Sequence, residues 1–221
     1  MGTGACKAKF LTFEGIEGAG KTELLRRLGR RLQELEIPHR LTREPGGTAI
    51  GREIRRILLR AEEPHPAVPT ELLLYLADRV QHLEELILPA LASGVHVLSD
   101  RYHDASVAYQ GYARGLDISW SDPLTRHLGI RKPDRTFLLD LPAEEGMARV
   151  ARRNHVTGDK PNRFDSARLE FHRKVREGYL KLAREEPDRF CVVDAARPFD
   201  VVYNEVEAAV LALLGTSGEP C

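Results

Sequence analysis

A short glycine-rich stretch near the start of the chain constrains its fold more than any other segment. It runs Gly15-Ile16-Glu17-Gly18-Ala19-Gly20-Lys21-Thr22. An apolar run from Phe10 to Phe13 precedes it, and leucines at helical spacing follow it, at positions 24, 25, 28, 32 and 35. A strand, a glycine-rich turn and a helix form the context that a phosphate-binding loop of the form G-x-x-x-x-G-K-[ST] requires.

The loop has a direct physical reason to bind phosphate. Glycines let consecutive backbone N–H groups curl around an anion without clashes from Cβ atoms, and the helix that follows directs its positive N-terminus at the same phosphates. Lys21 adds a full charge toward the outer phosphates, and Thr22 offers a hydroxyl to Mg²⁺. All the loop residues are therefore predicted to bind a nucleoside triphosphate, although the motif does not say which reaction follows.

The composition is that of an ordinary globular protein. The 221 residues are 42% hydrophobic and 30% charged, which argues against a disordered or a membrane protein. The formal net charge is zero, whereas proteins that bind nucleic acid by broad phosphate neutralisation are usually basic. We expect a cytoplasmic protein, because the N-terminus lacks an apolar signal segment and Cys6, Cys191 and Cys221 are too widely spaced for a disulfide or metal framework.

Short apolar runs alternate with helical patterns, which predicts an α/β fold with a parallel sheet buried on both faces. The predicted strands are approximately Lys9–Glu14, His39–Thr42, Val95–Leu98, Thr136–Asp140 and Arg189–Val193. Predicted helices include a long one capped by Thr70, one from about Ala143 to Arg153 and one from about Phe164 to Glu185. Residues 1–214 are predicted to form a single domain, and residues 215–221 a disordered tail.

Charged side chains follow two of the predicted strands. In a parallel sheet, ligands bind outside the carboxyl ends of the strands. Asp100 is therefore placed to hold Mg²⁺, and Arg43 and Arg101 are interpreted as phosphate ligands, because an arginine there is costly to bury without an anion. A surface carboxylate and structural ion pairs are the alternatives. Glu17 would repel phosphates unless it points toward a sugar hydroxyl or into solvent.

Tyr75 and Arg79 share one face of the long helix, because they are four residues apart. A flat ring beside a bidentate donor suits a nucleobase, although a tyrosine at the edge of the core and a solvated arginine are the commoner outcome of such a pattern. Gln110 is equally ambiguous on its own. The histidines show no ligand spacing, and we assign them no role.

Basic residues cluster around a polar segment that contains one glycine and one proline. They are Arg149, Arg152, Arg153, Lys160 and Arg163. A run of charge is usually a solvated face. Here its position after the helix that follows the fourth strand also allows a short lid, about residues 149–163, that closes over phosphates.

Three stretches together resemble the thymidylate kinase family. They are the phosphate loop with Phe13-Glu14 before it, Thr42-Arg43-Glu44-Pro45-Gly46-Gly47-Thr48, and Asp100-Arg101-Tyr102 with Ala108-Tyr109-Gln110-Gly111. The second is far more specific than the phosphate loop. The resemblance covers roughly residues 9–200 and implies a P-loop nucleoside monophosphate kinase fold, with a five-stranded parallel sheet, flanking helices and a short lid.

The resemblance implies roles for the acceptor-side residues. Glu17 matches the carboxylate that contacts the 3′-hydroxyl of dTMP. Arg43 and Arg101 match the arginines that hold the acceptor phosphate, and Arg101 would also bridge toward the transferred group. Tyr75 matches an aromatic ring that stacks on thymine. Arg79 and Gln110 match two residues that hydrogen-bond the thymine edge. Tyr109 matches a ring that packs beside the 2′ position of the sugar.

In one subgroup of the family the phosphate loop supplies a catalytic arginine. The matching position here is Gly18, so the chain resembles the bacterial subgroup, whose lid supplies the cation. Arg153 is the best match for that cation and Arg149 the second, while Arg163 matches the arginine at the end of the lid. The residues predicted to be catalytic are Lys21, Arg101, Arg153 and Arg149.

Two positions depart from the family pattern. Many bacterial relatives have a serine where this chain has Ala105, so a hydroxyl contact near the base is missing unless Ser106 compensates. Glu23 replaces a threonine or serine, and it either perturbs the Mg²⁺ site or faces solvent at the start of the helix, where an acid is favourable.

The implied reaction is ATP-dependent phosphorylation of dTMP to dTDP with Mg²⁺, a step of dTTP biosynthesis. One alternative is a kinase for another nucleoside monophosphate. A second is a nucleotide-gated switch, because Asn162-Arg163-Phe164-Asp165 faintly echoes the Asn-Lys-x-Asp motif that reads guanine. The family is usually homodimeric, and the helix over Thr70–Leu91 offers a contact surface. ATP and dTMP are the expected partners, with no nucleic acid and no membrane.

Overall fold

The structure, a computed structural model, describes residues 7–117, 119, 121–158 and 160–215 of the chain. Most of the predicted C-terminal tail and the cysteines at positions 6 and 221 lie outside these ranges. No helix within them has both the length and the apolar composition needed to cross a bilayer.

One parallel sheet forms the centre of the molecule. Its strands are β1 Phe10–Glu14, β2 His39–Arg43, β3 His96–Asp100, β4 Arg135–Asp140 and β5 Phe190–Asp194. They lie side by side in the order β2-β3-β1-β4-β5, and every pairing is parallel. The predicted five-stranded parallel sheet is confirmed, and the strand ends differ from the predicted ones by at most two residues.

Helices connect the strands and cover both faces of the sheet. They are α1 Lys21–Glu34, α2 Ala49–Leu59, α3 Val68–His82, α4 Leu88–Ala92, α5 His103–Ser106, α6 Ser121–His127, α7 Ala143–Thr157, α8 Leu169–Glu185 and α9 Phe199–Leu213. Two π-helical stretches interrupt the regular pattern. Leu83–Ile87 joins α3 to α4, and Val107–Ala113, called the π segment below, continues α5.

Three of the predicted helix ends were wrong. Helix α3 begins at Val68 rather than behind a Thr70 cap, because Pro69 suits the first turn of a helix and starts it earlier. Helix α7 does not stop at Arg153 but continues to Thr157, where Gly158 ends it in the left-handed conformation. The first half of the predicted lid is therefore helical.

Helix α8 begins at Leu169, five residues after its predicted start at Phe164. The side chain of Asn162 accepts hydrogen bonds from the backbone N–H groups of Phe164 and Asp165. Such side-chain capture competes with helical hydrogen bonding and favours a turn. The predicted apolar spacing was correct for the helix interior, but the turn residues set its beginning.

The core explains why the phosphate loop is held firmly. Strand β1 is buried along its whole length, between β3 and β4. Leu24, Leu28 and Leu32 of α1 are also fully buried, and burying one such side chain stabilises the fold by about 1.5–3 kcal/mol. The loop thus leaves a rigid central strand and enters an anchored helix. Its position is fixed at the carboxyl edge of the sheet.

Candidate active site

The carboxyl ends of β1, β2 and β3 open into a cleft of about 470 Å³. Helix α3, the π segment and the lid side of α7 contribute its other walls. Most of the predicted site residues line it, namely Glu17, Gly18, Gly20, Lys21, Thr22, Arg43, Tyr75, Arg79, Asp100, Arg101, Tyr109, Gln110, Arg149 and Arg153. The predicted loop residues Gly15, Ile16 and Ala19 do not line it.

The side chain of Lys21 is buried inside the phosphate loop. Its Nζ donates hydrogen bonds to the carbonyl oxygens of Gly15 at 2.9 Å and Ile16 at 2.8 Å. Burial, followed by the nearby charge of Arg101, lowers the pKa of Lys21 to about 8. A phosphate bound in the loop would favour the ammonium form, because a nearby opposite charge stabilises it. An anionic ligand in the loop would therefore stabilise the charged form of Lys21.

The loop backbone at Gly18 packs directly against α7. Gly18 has φ +79, and a Cβ atom there would lie 2.2 Å from the carbonyl oxygen of Gly146. A Cβ atom on Gly146 would in turn lie 2.6 Å from the carbonyl oxygen of Glu17. Neither the backbone conformation nor the space at Gly18 admits a larger residue. An arginine at this loop position is therefore sterically excluded in this chain.

Glu17 lies between the phosphate loop and the rest of the cleft. Its carboxylate accepts hydrogen bonds from Arg101 Nη2 at 2.9 Å and from the Tyr109 hydroxyl at 2.8 Å. The Nδ1 atom of the fully buried His172 lies 3.3 Å from Glu17 Oε2. Burial alone would raise the pKa of Glu17, but Arg101, His172 and Lys21 outweigh it and hold that pKa well below its usual range. The carboxylate is ionised and fixed in place.

Arg101 occupies a strained position immediately after β3. Its φ of 71 lies in the left-handed region, which is uncommon for a residue with a side chain and concentrates at functional sites. The backbone N–H of Arg101 donates to the carbonyl oxygen of Phe13 at 3.0 Å. Its guanidinium group lies 4.9 Å from the centre of the Tyr109 ring. These contacts direct the arginine into the cleft beside Glu17.

Arg79 is fully buried although it lines the cleft. Its Nε donates to Glu44 Oε2 at 2.9 Å, and its Nη2 donates to the Tyr102 carbonyl oxygen at 3.0 Å and to Ser106 Oγ at 3.1 Å. Ala105 also lines the cleft. The hydroxyl of the neighbouring Ser106 accepts a hydrogen bond from Arg79. This contact orients Arg79 beside Ala105, the position that lacks a hydroxyl.

Tyr75 lines the same part of the cleft, so the face shared by Tyr75 and Arg79 does point into it. Burial raises the pKa of Tyr75 to about 12, and the phenol is neutral at physiological pH. A neutral, half-buried ring beside a fixed guanidinium group can stack on a flat heterocycle while the arginine contacts its edge.

Gln110 is also buried and is held from behind. Its Nε2 donates to Glu71 Oε1 at 2.6 Å, and Arg114 Nε donates to the same oxygen at 3.1 Å. Arg163, the predicted arginine at the end of the lid, forms an ion pair with the other oxygen of Glu71. The lid therefore ends in a buried contact behind Gln110.

Thr22 and Asp100 lie together at the mouth of the phosphate loop, where the Thr22 hydroxyl donates to Asp100 Oδ2 at 2.8 Å. In the described part of the chain, no group of three or more histidine, cysteine, aspartate or glutamate side chains is arranged to hold a metal. One hydroxyl and one carboxylate nevertheless fit Mg²⁺, which binds through few protein oxygens together with substrate phosphates. Glu23 forms an ion pair with Arg26 on the half-exposed surface of α1.

The lid side of the cleft carries exposed charge. Arg149 donates to Glu145 at 2.5 Å, and Arg153 reaches Asn154 at 3.0 Å and Asp165 at 3.3 Å. The side chain of Arg153 is half exposed. Both arginines line the cleft, and each is paired with a residue of the lid side.

The motif that echoed a guanine-reading sequence forms a closed turn. Asp165 Oδ2 accepts from the side-chain amide of Asn162 at 2.8 Å and from its backbone N–H at 3.1 Å. The turn follows the lid rather than a strand, and Arg163 is engaged with Glu71. These contacts use the groups that would have to contact a guanine base.

Three residues of the site were missed from the sequence. Arg55 of α2 lines the cleft and donates to the Pro45 carbonyl oxygen at 2.9 Å. His172, to which we had assigned no role, lies against Glu17, and Glu71 holds Gln110. Arg55 is one of several arginines on its helix, and the other two lie far in sequence from their partners. No local pattern marks any of them.

A parallel sheet with the order 2-3-1-4-5, a phosphate loop after its central strand, and arginines at the ends of β2 and β3 that line the same cleft define a P-loop nucleoside monophosphate kinase. Comparison with known proteins refines this class. The family model described as "Thymidylate kinase" matches residues 13–206, and the chain belongs to the thymidylate kinase family.

Curated relatives agree over nearly the whole chain. The thymidylate kinase of Desulfovibrio desulfuricans is 47% identical and aligns over 95% of this chain and 98% of its own length. That of Carboxydothermus hydrogenoformans is 46% identical over 95% of this chain and 100% of its own length. That of Nitratidesulfovibrio vulgaris is 46% identical over 96% of this chain and 100% of its own length.

Proposed function

We propose that the chain transfers the terminal phosphoryl group of ATP to dTMP, forming ADP and dTDP as a step of dTTP synthesis. One observation carries the proposal. Glu17, a residue of the phosphate loop, is fixed by Arg101, which follows β3, and by Tyr109 of the π segment. A single carboxylate thus joins the donor site to an acceptor compartment that offers a sugar contact and an anion contact. Membership of the thymidylate kinase family supports the same assignment.

On the donor side, the loop backbone and Lys21 bind the phosphates of ATP. The acceptor phosphate needs no strong general base, because it is mostly dianionic near neutral pH. Catalysis then depends on alignment and on stabilising the charge of the transferred group. Arg43 and Arg101 hold the acceptor phosphate, and Arg101 reaches toward the group in transit from its fixed place beside Glu17.

The remaining charge comes from the lid and from the metal. Arg153, with Arg149 as the second candidate, turns from its surface partner toward the transferred group when the lid closes, and closure excludes water. Thr22 and Asp100 would hold Mg²⁺ together with the ATP phosphates. When bound, the ion neutralises the phosphate charge and orients the donor.

Recognition of the acceptor follows from the opposite wall. Tyr75 stacks on thymine, while Arg79 and Gln110 contact the edge of the base from buried, fixed positions. Tyr109, whose hydroxyl is engaged with Glu17, packs beside the 2′ position of the sugar and disfavours a ribonucleotide. This set of contacts favours dTMP over the other nucleoside monophosphates.

A coupled assay of ADP release with ATP and Mg²⁺ tests the proposal. With dTMP, dUMP, UMP, CMP, AMP and GMP as acceptors, dTMP is expected to give the highest kcat/KM, and a Lys21→Ala variant serves as the inactive control. A clear preference for another monophosphate would replace dTMP as the substrate. ATP hydrolysis or binding without transfer to any acceptor would favour a nucleotide-gated switch instead.

The proposal includes a cytoplasmic homodimer. Ile50 and Ile57 on α2 and Leu73 on α3 expose large apolar side chains, and α2 packs against α3, which is part of the predicted contact helix. Burying them against a second copy would remove apolar surface from water. Light scattering coupled to gel filtration is expected to give about twice the mass of one chain, and a monomer at micromolar concentration would contradict this part of the proposal.

A further inference from the structure

Glu71 brings together three segments behind the cleft. It lies in the first turn of α3, and its side chain is 1% exposed. Gln110 comes from the π segment, Arg114 follows that segment, and Arg163 ends the lid. All three contact the Glu71 carboxylate. Glu71 itself does not line the cleft, so any effect on a ligand must pass through a partner.

The contact with Gln110 determines which way its amide faces. A carboxylate only accepts hydrogen bonds, and two guanidinium groups keep it in that role. A flipped amide would bring the carbonyl oxygen of Gln110 to the place of Nε2, which is now 2.6 Å from Glu71 Oε1. Two acceptors would then face each other in a buried site. The NH₂ end is therefore directed at Glu71, and Oε1 is the polar atom left to face the cleft.

The neighbouring groups make this orientation consequential. Arg79, the other residue at the base edge, carries donors only. Its guanidinium group is fixed by Glu44, Tyr102 and Ser106. Gln110, in contrast, can provide a fixed acceptor to a base. Its side chain is 1% exposed, so solvent does not offer the amide another partner.

We propose that Glu71 is a positioning residue that holds the Gln110 carbonyl oxygen toward the cleft and thereby selects pyrimidines with a hydrogen at N3. Thymine and uracil carry an N3–H donor that this oxygen accepts. Cytosine presents a bare acceptor at N3, which leaves two lone pairs opposed. The inference rests on the proposed function, since it concerns the acceptor nucleotide. A site built to receive one hydrogen bond rejects a base that cannot supply it by roughly tenfold or more.

The substrates that isolate this effect are dTMP and 5-methyl-dCMP, which differ only at the N3 and C4 edge. The measured quantity is the ratio of their kcat/KM values in one enzyme preparation, so the active fraction cancels. In Glu71→Gln an amide faces Gln110, both orientations become possible, and the preference for dTMP is expected to fall about tenfold or more. An unchanged ratio would overturn the proposal.

A second background separates positioning from general distortion. In Gln110→Leu there is no amide to orient, so adding Glu71→Gln is expected to change the ratio less than about twofold. If Glu71→Gln lowers the ratio equally in both backgrounds, Glu71 acts on the pocket by another route and the proposal fails.

The wild-type chain provides a test in which a variant is needed only to assign the signal. Glutamine labelled with ¹⁵N, assigned with Gln110→Leu, should show a side-chain NH₂ signal that is protected from exchange and insensitive to dTMP. A large shift of that signal on dTMP binding would place the NH₂ end against the base and overturn the proposal. If the wild-type chain phosphorylated neither nucleotide, the proposed function would fail, whereas this measurement would still report the orientation of the amide.

Discussion

The two walls of the cleft are built in opposite ways. The acceptor wall, comprising Glu17, Arg79, Arg101, Tyr109 and Gln110, is buried or nearly so, and each member has a hydrogen bond or ion pair from another segment of the chain. The lid wall, comprising Arg149, Arg153, Asn162 and Asp165, presents partly exposed arginines, which pair with Glu145 of α7 and with the buried Asp165 carboxylate. Both walls line one cleft.

The difference between the walls suggests separate roles in binding the substrate and in closing over it. On the acceptor wall, the cost of ordering side chains is met during folding, so a ligand meets donors and acceptors already in position. The Arg149–Glu145 ion pair on the lid side is partly exposed on both side chains, and such a pair contributes about 0–1 kcal/mol. Exchanging it for a phosphate contact therefore costs little. Under the proposed function, the acceptor wall would recognise dTMP, and the lid wall would complete the charge around the transferred group on closure.

The largest expected effect separates the two walls by catalysis. Arg153→Ala should lower kcat by about 10³-fold, equal to about 4 kcal/mol of barrier, if it supplies the cation for the transferred group. Its unfolding free energy should change by less than about 1 kcal/mol, because Arg153 is half exposed and the buried Asp165 carboxylate keeps its two hydrogen bonds from Asn162. Single-turnover kinetics and urea unfolding measure the two quantities.

Arg152→Ala is the matched control for that change. Arg152 is exposed on the same helix and does not line the cleft, so kcat should stay within about threefold of the wild type. If kcat falls by less than about threefold in Arg153→Ala, the catalytic role would move to Arg149. Arg149→Ala would then test whether the lid wall supplies the catalytic cation.

The acceptor wall should respond in stability instead. Arg79→Met removes a buried guanidinium group and leaves the Glu44 carboxylate, 2% exposed, without that partner. Removing one member of a buried pair typically costs about 3 kcal/mol or more of unfolding free energy. Adding Glu44→Gln should recover part of the loss. Arg56→Met is the control, because its ion pair with Glu53 is exposed, and it should cost less than about 0.5 kcal/mol. If Arg79→Met had the unfolding free energy of the wild type, the buried contacts of the acceptor wall would not stabilise the fold more than exposed ion pairs do.

Sequence reasoning succeeded where function depends on neighbouring residues. The phosphate loop is one continuous stretch whose glycine pattern, flanking strand and helix are readable together. The strands followed from apolar runs, and the parallel sheet places their ends at one edge. The residues at those ends, Arg43 and Asp100 among them, therefore line the same cleft.

It failed where a contact joins distant segments. Glu71 and Gln110 are 39 positions apart, and Glu17 and His172 are far apart on β1's loop and α8. No periodicity or spacing relates such pairs, since packing alone brings them together. The beginning of α8 failed for a different reason: the Asn162 side chain captured backbone N–H groups that apolar spacing assigned to a helix.

The pH dependence of the unfolding free energy tests whether the carboxyl group of Glu14, behind the acceptor wall, is as deeply buried as the structure shows. Glu14 lies behind it, where it accepts from the Tyr102 N–H at 2.7 Å and from the Tyr179 hydroxyl at 2.7 Å. Burial, followed by Asp104, raises the pKa of Glu14 to about 7. Because this folded-state pKa exceeds the unfolded one, the folded chain binds more protons between about pH 4.5 and pH 7, and unfolding free energy falls as pH rises through that window.

Glu14→Gln should remove this part of the pH dependence. The decline in unfolding free energy from about pH 5 to pH 7 should be smaller than in the wild type by about 2 kcal/mol. Urea unfolding at several pH values measures the slope, which is independent of any constant loss caused by the substitution. Equal slopes in the two proteins would mean that Glu14 is already ionised at low pH and that its surroundings are more polar than the buried geometry indicates.

The smallest expected effect concerns a residue that supports the acceptor wall from α8. His172→Phe keeps an aromatic ring in a fully buried place but removes the nitrogen that lies 3.3 Å from Glu17. Arg101 and Tyr109 still hold the carboxylate, so KM for dTMP should rise about fivefold, with kcat within about twofold, as expected for loss of one polar contact of about 1 kcal/mol. Because Glu17 is proposed to contact the 3′-hydroxyl, the same substitution should leave KM for 2′,3′-dideoxy-TMP nearly unchanged. An equal rise for both nucleotides would show that His172 supports the fold in general rather than the position of Glu17.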